Sequence, residues 1–149
     1  MAGTNGKMHE LTAALGICNL RWIDDFIERR KKIYELYKDG LKDIRGIHFR
    51  IDDENIKYNY IYCYINIDEV EFGMNAKSLL KILNYRGIHA KKCFTSLVSD
   101  MEIYKQSKKG IINKAYYFLE NTIVLPLHAY LSEQDVEYVC DVINNAKSM

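Results

Sequence analysis

The stretch YNYIYCYINI, residues 58–67, decides how the rest of the chain is read. Tyr58, Tyr60, Tyr62 and Tyr64 alternate with Ile61, Cys63, Ile65 and Ile67. That period of two is the repeat of a β-strand, whose successive side chains point to opposite faces. Aromatic and β-branched residues also favour strands. One face is aliphatic and the other aromatic, so both need cover, and the strand is expected in the middle of its sheet.

Upstream, Asp52, Asp53, Glu54 and Asn55 read as a polar turn that follows a short apolar run, Gly46 to Ile51. Before that, Met8 to Leu41 reads as helix almost without a break. Met8, Leu11, Leu15, Cys18 and Trp22 recur at helical spacing, and Ile23, Phe26, Ile27, Ile33, Tyr34, Tyr37 and Leu41 continue the stripe with a shift in phase. Gly40 and Gly46 are read as punctuating its end. A single helix of that length would reach about 50 Å, against roughly 30 Å for a small domain. Either the helix breaks near Asn19–Asp24, or part of it packs on something outside this stretch of chain, or both.

Downstream, Asn75 is placed to cap a helix carrying Leu79, Leu80, Ile82 and Leu83, with Gly87 as its stop. A short strand is expected at Ile88–Lys91, then an irregular polar stretch from Lys92 to Gly110. Loops of that length are usually functional or disordered. A helix from Ile111 to Leu119 leads to the strand Thr122–Leu125, which stops at Pro126, the sole proline. Ser132 and Asp135 form a variant capping box for a last amphipathic helix through Val136, Val139, Cys140 and Ile143. This order predicts an α+β layer: a long N-terminal helix, then a small mixed or antiparallel sheet with helices on one face.

With 149 residues the chain suits one domain, burying roughly 68–70% of its unfolded surface. Its 21 basic and 20 acidic residues nearly cancel, which argues against a nucleic-acid partner. The run Arg29–Lys32 is flanked by Asp24, Asp25, Glu28 and Glu35, as on a solvated, ion-paired helix face. Cys18, Cys63, Cys93 and Cys140 lack CxxC spacing and sit in apolar patterns, so free buried thiols in a reducing compartment are expected. The amino-terminal residues carry no hydrophobic run, and no apolar stretch reaches the about 20 residues needed to span a bilayer. A cytoplasmic protein without membrane contact is the expectation.

Candidate chemistry is sparse. Gly3, Asn5, Gly6 and Lys7 precede a helix N-terminus, where free N–H groups and the helix dipole favour an anion. The alternative, a plain flexible lead-in, stands beside it. His9, His48, His89 and His128 show no ligand spacing and read as structural, so no metal site is expected. The alternating tyrosines suit a stacking platform in principle and a core or interface more simply. Lys91, Lys92 and Phe94 lie where a strand opens into the polar loop, a position from which lysines and a ring can hold a phosphate and a base; a solvated loop is the alternative.

The stretch GTNGKMHELTAALGICNLRWIDDFIERRKKIYELYKDGL, residues 3–41, resembles a segment of the DegT/StrS-type sugar-nucleotide aminotransferases, written approximately GxNxKMxExxAAxGxxxLxxxDxxxxRRxxxxxxYxxxL. NYIYCYINI resembles that family's central small-domain strand, RGIHAKKCFTSLVSDMEIY its loop of the type GIxARRYFYPL, and VLPLHAYLSEQDVEYVCDVI its ending. Cys93, Thr95 and Ser96 depart from the loop, where aromatic and proline residues are usual.

The resemblance implies the C-terminal portion of a type I PLP-dependent aminotransferase. Residues 1–45 would be a helical connector and 46–149 the α+β small domain. The family works in polysaccharide biosynthesis as homodimers that pass an amino group from glutamate to a nucleotide-linked keto sugar. Asn5 would approach the cofactor phosphate of the neighbouring subunit, with Lys7 near it. Lys91, Lys92 and Phe94 would line the path of the nucleotide sugar. The family's Schiff-base lysine and main phosphate loop precede the matched region, so no catalytic residue is expected here. PLP then belongs to the intact enzyme and is not expected on these residues alone. The partners expected are a second copy or an N-terminal PLP domain, with inactivity alone. A non-enzymatic remnant or interaction module that keeps the small-domain fold is the alternative.

Overall fold

The aliphatic side of the tyrosine-rich segment is the centre of the core. In a computed structural model, which describes residues 6–104, 106–107 and 110–146, Cys63, Ile65 and Ile67 are buried while Tyr64 and Asn66 are half-buried. They form β2 (Cys63–Ile67), flanked by β1 (Ile47–Phe49) and β4 (Thr122–Leu125), with β3 (Lys91–Lys92) beyond β4. All pairings are antiparallel, with Ile65 opposite Phe49 on one side and Ile123 on the other. The expected central strand is thus central, and the sheet is antiparallel.

That strand is shorter than its alternation suggests. Tyr58 to Tyr62 are not strand, and Tyr60 has a left-handed backbone, φ 48°. The pairing explains this. β1 ends at Phe49, opposite Ile65, and β4 ends at Leu125, opposite Cys63. The next residue, Pro126, has no N–H to continue the ladder. Side chains that alternate without a partner strand do not make a sheet.

Helices α2 (Ile23–Leu41), α4 (Ala76–Tyr85) and α6 (Glu133–Asn145) bury their apolar stripes in one core with the sheet. Ile33, Tyr34, Tyr37 and Leu41 come from α2, Leu79 and Leu83 from α4, and Val136, Val139, Cys140 and Ile143 from α6. Asn75 caps α4 and Ser132 with Asp135 closes a capping box on α6, as expected. The one-turn α3 (Glu69–Phe72) buries Phe72 in the same core, and α5 (Asn113–Asn121) brings Phe118 edge-on to Tyr64, with ring centroids 6.1 Å apart. The stretch after β3 contains two short 3₁₀ turns, at Val98–Asp100 and Glu102–Tyr104. The Tyr116 hydroxyl ties the first to α5 by donating to Asp100, 2.7 Å.

Two glycines hold tight places. Gly40 lies inside α2 rather than beyond its end, because a Cβ there would sit 2.7 Å from the Cys140 sulfur. It sets how closely α2 approaches α6. Gly46 has φ +80°, and a Cβ on it would lie 2.3 Å from the Phe72 backbone nitrogen.

The long helix does break. Arg21 and Trp22 donate to the carbonyls of Cys18 and Asn19, a tightened turn that separates α1 (Glu10–Leu20) from α2. No residue of α1 is buried. Leu11 is 75% and Leu20 68% exposed, and Trp22 is 58% exposed. The thiol of Cys18, expected to be buried, is exposed on this helix, and Cys93 is only half-buried; Cys63 and Cys140 are buried, and all are free. The Cys18 pattern is apolar because the helix is apolar, and nothing in the described residues covers it.

Gly46→Ala is expected to destabilise the fold by more than about 2 kcal/mol, since it adds a backbone clash to the left-handed penalty of roughly 1–2 kcal/mol. Gly87→Ala, with φ +78° and nothing within 4 Å of its Cβ, should show only the penalty. Urea unfolding of both variants checks the difference; equal losses would remove the role given to Gly46.

Candidate functional site

Of the two adjacent exposed lysines, strand geometry turns only one toward the cavity beside α4. Lys91 and Lys92 form β3, opposite Val124 and Ile123 of β4. Consecutive strand residues face opposite sides. Lys92 lines a cavity of about 460 Å³ together with Asn75, Ala76 and Lys77 at the start of α4, Glu120 at the end of α5, and Thr122 of β4; Lys91 does not line it. The Asn75 carboxamide accepts from the Ser78 N–H at 2.9 Å, so it is committed to the cap. Thr122 is buried but satisfied by a bond from Asn66, 3.2 Å. Two lysines, the glutamates Glu69 and Glu120, and a helix N-terminus thus surround one opening, a mixed-charge rim suited to a polar ligand that carries both anionic and hydroxyl groups.

The other expected site residues lie apart from this cavity. Phe94 follows β3 and is 62% exposed. Lys7 is exposed ahead of α1, and Asn5 lies outside the described residues. Beside β3, Tyr64 stands between Tyr62 and Phe118, with ring centroids 5.4 Å and 6.1 Å away. Burial pushes up the pKa of Tyr64, and also that of Cys93, which Tyr64 partly counters. Cys93 is therefore a poor nucleophile at neutral pH. The contributions of Lys77, Glu120 and Asn75 carry no sequence motif. They become neighbours of Lys92 only through the β3–β4 pairing; the helix cap at Asn75 was the one signal in the chain.

A second cavity, about 610 Å³, opens between the end of α4 and the start of α6 and is lined by His89, His128, Asp135 and Tyr138 over Ile88, Leu131 and Val139. Its polar groups are largely engaged. Asp135 accepts from the Ser132 hydroxyl at 2.6 Å, and the Tyr138 hydroxyl donates to the Arg86 carbonyl at 3.1 Å. These bonds serve the helix ends.

The strongest electrostatic cluster is structural. The Arg50 guanidinium lies 3.6 Å from the Tyr58 ring centre and 5.2 Å and 5.6 Å from those of Tyr34 and Tyr60. Its Nε donates to Asp52 at 3.2 Å, and Lys38 of α2 donates to the same carboxylate at 2.9 Å. This is where the unpaired tyrosines go: they wrap a cation. Burial pushes the Asp52 carboxyl up, but the hydrogen bonds from Lys38 and Arg50 outweigh it and hold it below the usual carboxylate range. Burial also pushes the Tyr34 hydroxyl up to about 12.

The sequence pattern of the DegT/DnrJ/EryC1/StrS aminotransferase family matches residues 1–144. The chain belongs to this family. It is 30% identical over 146 residues to a dTDP-4-amino-4,6-dideoxy-D-glucose transaminase of Shigella dysenteriae, covering 97% of this chain and 40% of that protein. An Escherichia coli protein of the same name is 32% identical over 137 residues, covering 90% of this chain and 37% of its own length. The aminotransferase TlmJ from Streptoalloteichus hindustanus has the same fold, with a TM-score of 0.85 at 23% identity over 98% of this chain and 38% of that one. The chain therefore spans about 40% of the length of the curated relatives it matches, corresponding to the C-terminal portion of the family enzymes.

Pyridoxal phosphate is the cofactor of this aminotransferase family. Lys7 and Lys91 stand exposed, and the cavity beside Lys92 sets Glu69 and Glu120 near Lys77 and Lys92. No described helix is long and apolar enough to cross a membrane.

The Asp52 pair gives a pH test. A carboxyl depressed in the folded state stabilises above its ordinary pKa, and that stability is lost as pH falls through the depressed value. Asp52 is 37% exposed, so screening limits the effect to about 1 kcal/mol or less. Between about pH 6 and pH 2, the wild type should lose more stability than Asp52→Asn. Parallel losses in denaturant titrations would show that the Lys38–Asp52–Arg50 cluster contributes nothing.

Proposed function

We propose that these residues are the substrate-facing, C-terminal part of a PLP-dependent sugar-nucleotide aminotransferase, and that they do not catalyse transamination by themselves. The observation that carries this reading is the family match over residues 1–144 combined with coverage of only 40% of a sugar-nucleotide transaminase. In it, residues 1–45 connect to the cofactor-binding part and residues 46–149 form the small domain. Lys92 binds the anionic portion of the nucleotide sugar, with Lys91 and Phe94 flanking its path, while Asn5 and Lys7 approach the cofactor phosphate. The mixed charge around Lys92 supports a ligand that is part anion and part sugar. A reducing, cytoplasmic location accords with the free thiols.

The partner in this reading is the cofactor-binding part of an aminotransferase, within a homodimer. Helix α1 supports it. Leu11, Leu15 and Cys18 lie along one side, and Ile17 and Leu20 add a second, all exposed. A helix that is apolar on more than one side needs cover from more than one direction.

Reconstitution tests the reading. The 149-residue chain mixed with the N-terminal part of the Shigella transaminase should bind pyridoxal phosphate and transfer an amino group from glutamate to a dTDP-keto sugar; neither part should do so alone. Lys92→Ala in the reconstituted enzyme should raise KM about tenfold, a loss of roughly 1.4 kcal/mol of charge-assisted binding. Absence of both cofactor absorbance and turnover from a formed complex would sink the proposal in favour of a non-enzymatic module.

By itself the chain is expected to self-associate through α1. Light scattering should give a mass above 17.5 kDa, and Leu15→Asp should return it to monomer. A monomeric wild type at high concentration contradicts the need for cover.

A further inference from the structure

We propose that His48, Asp68 and Glu71 bind a divalent transition-metal ion of the zinc class, which clamps the edge strand β1 to α3. One ligand atom from each of the three lies within 4.8 Å of the others. The residues come from three places in the chain: β1, the residue after β2, and α3. Asp68 and Glu71 are neighbours by their spacing of three at the start of α3, and the pairing of β1 with β2 brings His48 to them.

The separations suit an ion better than a direct bond. His48 Nε2 and Glu71 Oε2 are 3.8 Å apart, beyond hydrogen-bond range. Ligands about 2.0–2.2 Å from a zinc ion at tetrahedral angles stand roughly 3.3–3.6 Å apart. The pair thus needs to close by only a few tenths of an ångström, and no pair of the three by more than about 1.5 Å. The His48 and Glu71 side chains are 54% and 57% exposed, which leaves them room to rotate and leaves the site open to an incoming ion.

The backbone beneath them is held firmly. His48 is in register with Asn66, two residues before Asp68, and the Asp68 N–H donates to the Gly46 carbonyl at 2.8 Å. Asp68 Oδ1 accepts from the Val70 and Glu71 N–H groups at 2.9 Å and 3.1 Å, which orients the carboxylate. Gly46 approaches the Phe72 backbone so closely that no side chain fits between. An imidazole nitrogen with two carboxylates is a donor set for zinc, and less so for magnesium or calcium, which favour oxygen alone. Three protein ligands leave a fourth position for water. The clamp matters because β1 is an edge strand paired only with β2.

Zinc titration of the full chain by calorimetry, with Co²⁺ absorption as a second readout, decides the matter. One-to-one binding at micromolar affinity is expected, with a higher thermal midpoint in the presence of Zn²⁺. His48→Ala and Glu71→Gln should each weaken binding about tenfold or more. Cys18→Ser and His128→Ala, which remove an exposed thiol and an exposed imidazole elsewhere, should leave it unchanged. Circular dichroism of the His48 and Glu71 variants establishes that they are folded. Zinc binding of wild-type strength in folded His48→Ala, or no one-to-one binding by the wild type, overturns the site.

Discussion

The antiparallel pairing of β2 with β4 is the constraint on which the other parts depend. It sets Ile65 against Ile123 and Cys63 against Leu125, so that both strands present aliphatic side chains to the same side. That shared face is what α2, α4 and α6 cover. Burial of such side chains contributes on the order of 1.5–3 kcal/mol each. The same pairing also has an end. Pro126 closes the ladder, and the tyrosines beyond it turn to enclose Arg50 instead of extending the sheet. Lys92 takes its place beside the α4 N-terminus because β3 adds to the free edge of β4.

Against this well-covered centre, α1 stands out as unfinished. Its apolar residues are as numerous as those of a core helix, yet none is buried. The chain spans about 40% of the length of the curated relatives it matches. In the function proposed above, the surface that covers this helix belongs to the cofactor-binding part. The chemistry follows the same division. The described residues provide a rim of mixed charge and a cluster of buried aromatics, which are features for holding a ligand and a shape. They do not provide an enclosed amine poised for covalent catalysis.

Charge is used locally throughout. Lys38, Arg50 and Asp52 neutralise one another over the tyrosine rings, and Asp135 completes a helix cap. With 21 basic and 20 acidic residues, the chain carries little net charge to attract a large polyanion.

Local patterns in the sequence were enough to determine the α+β class, the central strand and the caps at Asn75 and Ser132; the break between α1 and α2 was one of two readings left open by helix length, and the structure decided it. Each depends on hydrophobic periodicity or on a side chain bonding to backbone a few residues away. The motifs at the helix approach and the polar loop also made the family legible. Other features required the fold. Residues 58–62 alternate like a strand, but a strand exists only where a neighbour supplies hydrogen bonds, and Pro126 withdraws them. Gly40 reads as a helix stop and serves as a contact surface for Cys140, a role set by how two helices cross. Cys18 reads as buried because its neighbours are apolar, though burial depends on a covering surface. The cavity at Lys92 and the approach of His48 to Asp68 and Glu71 join residues far apart in the chain, and pairing register brought them together.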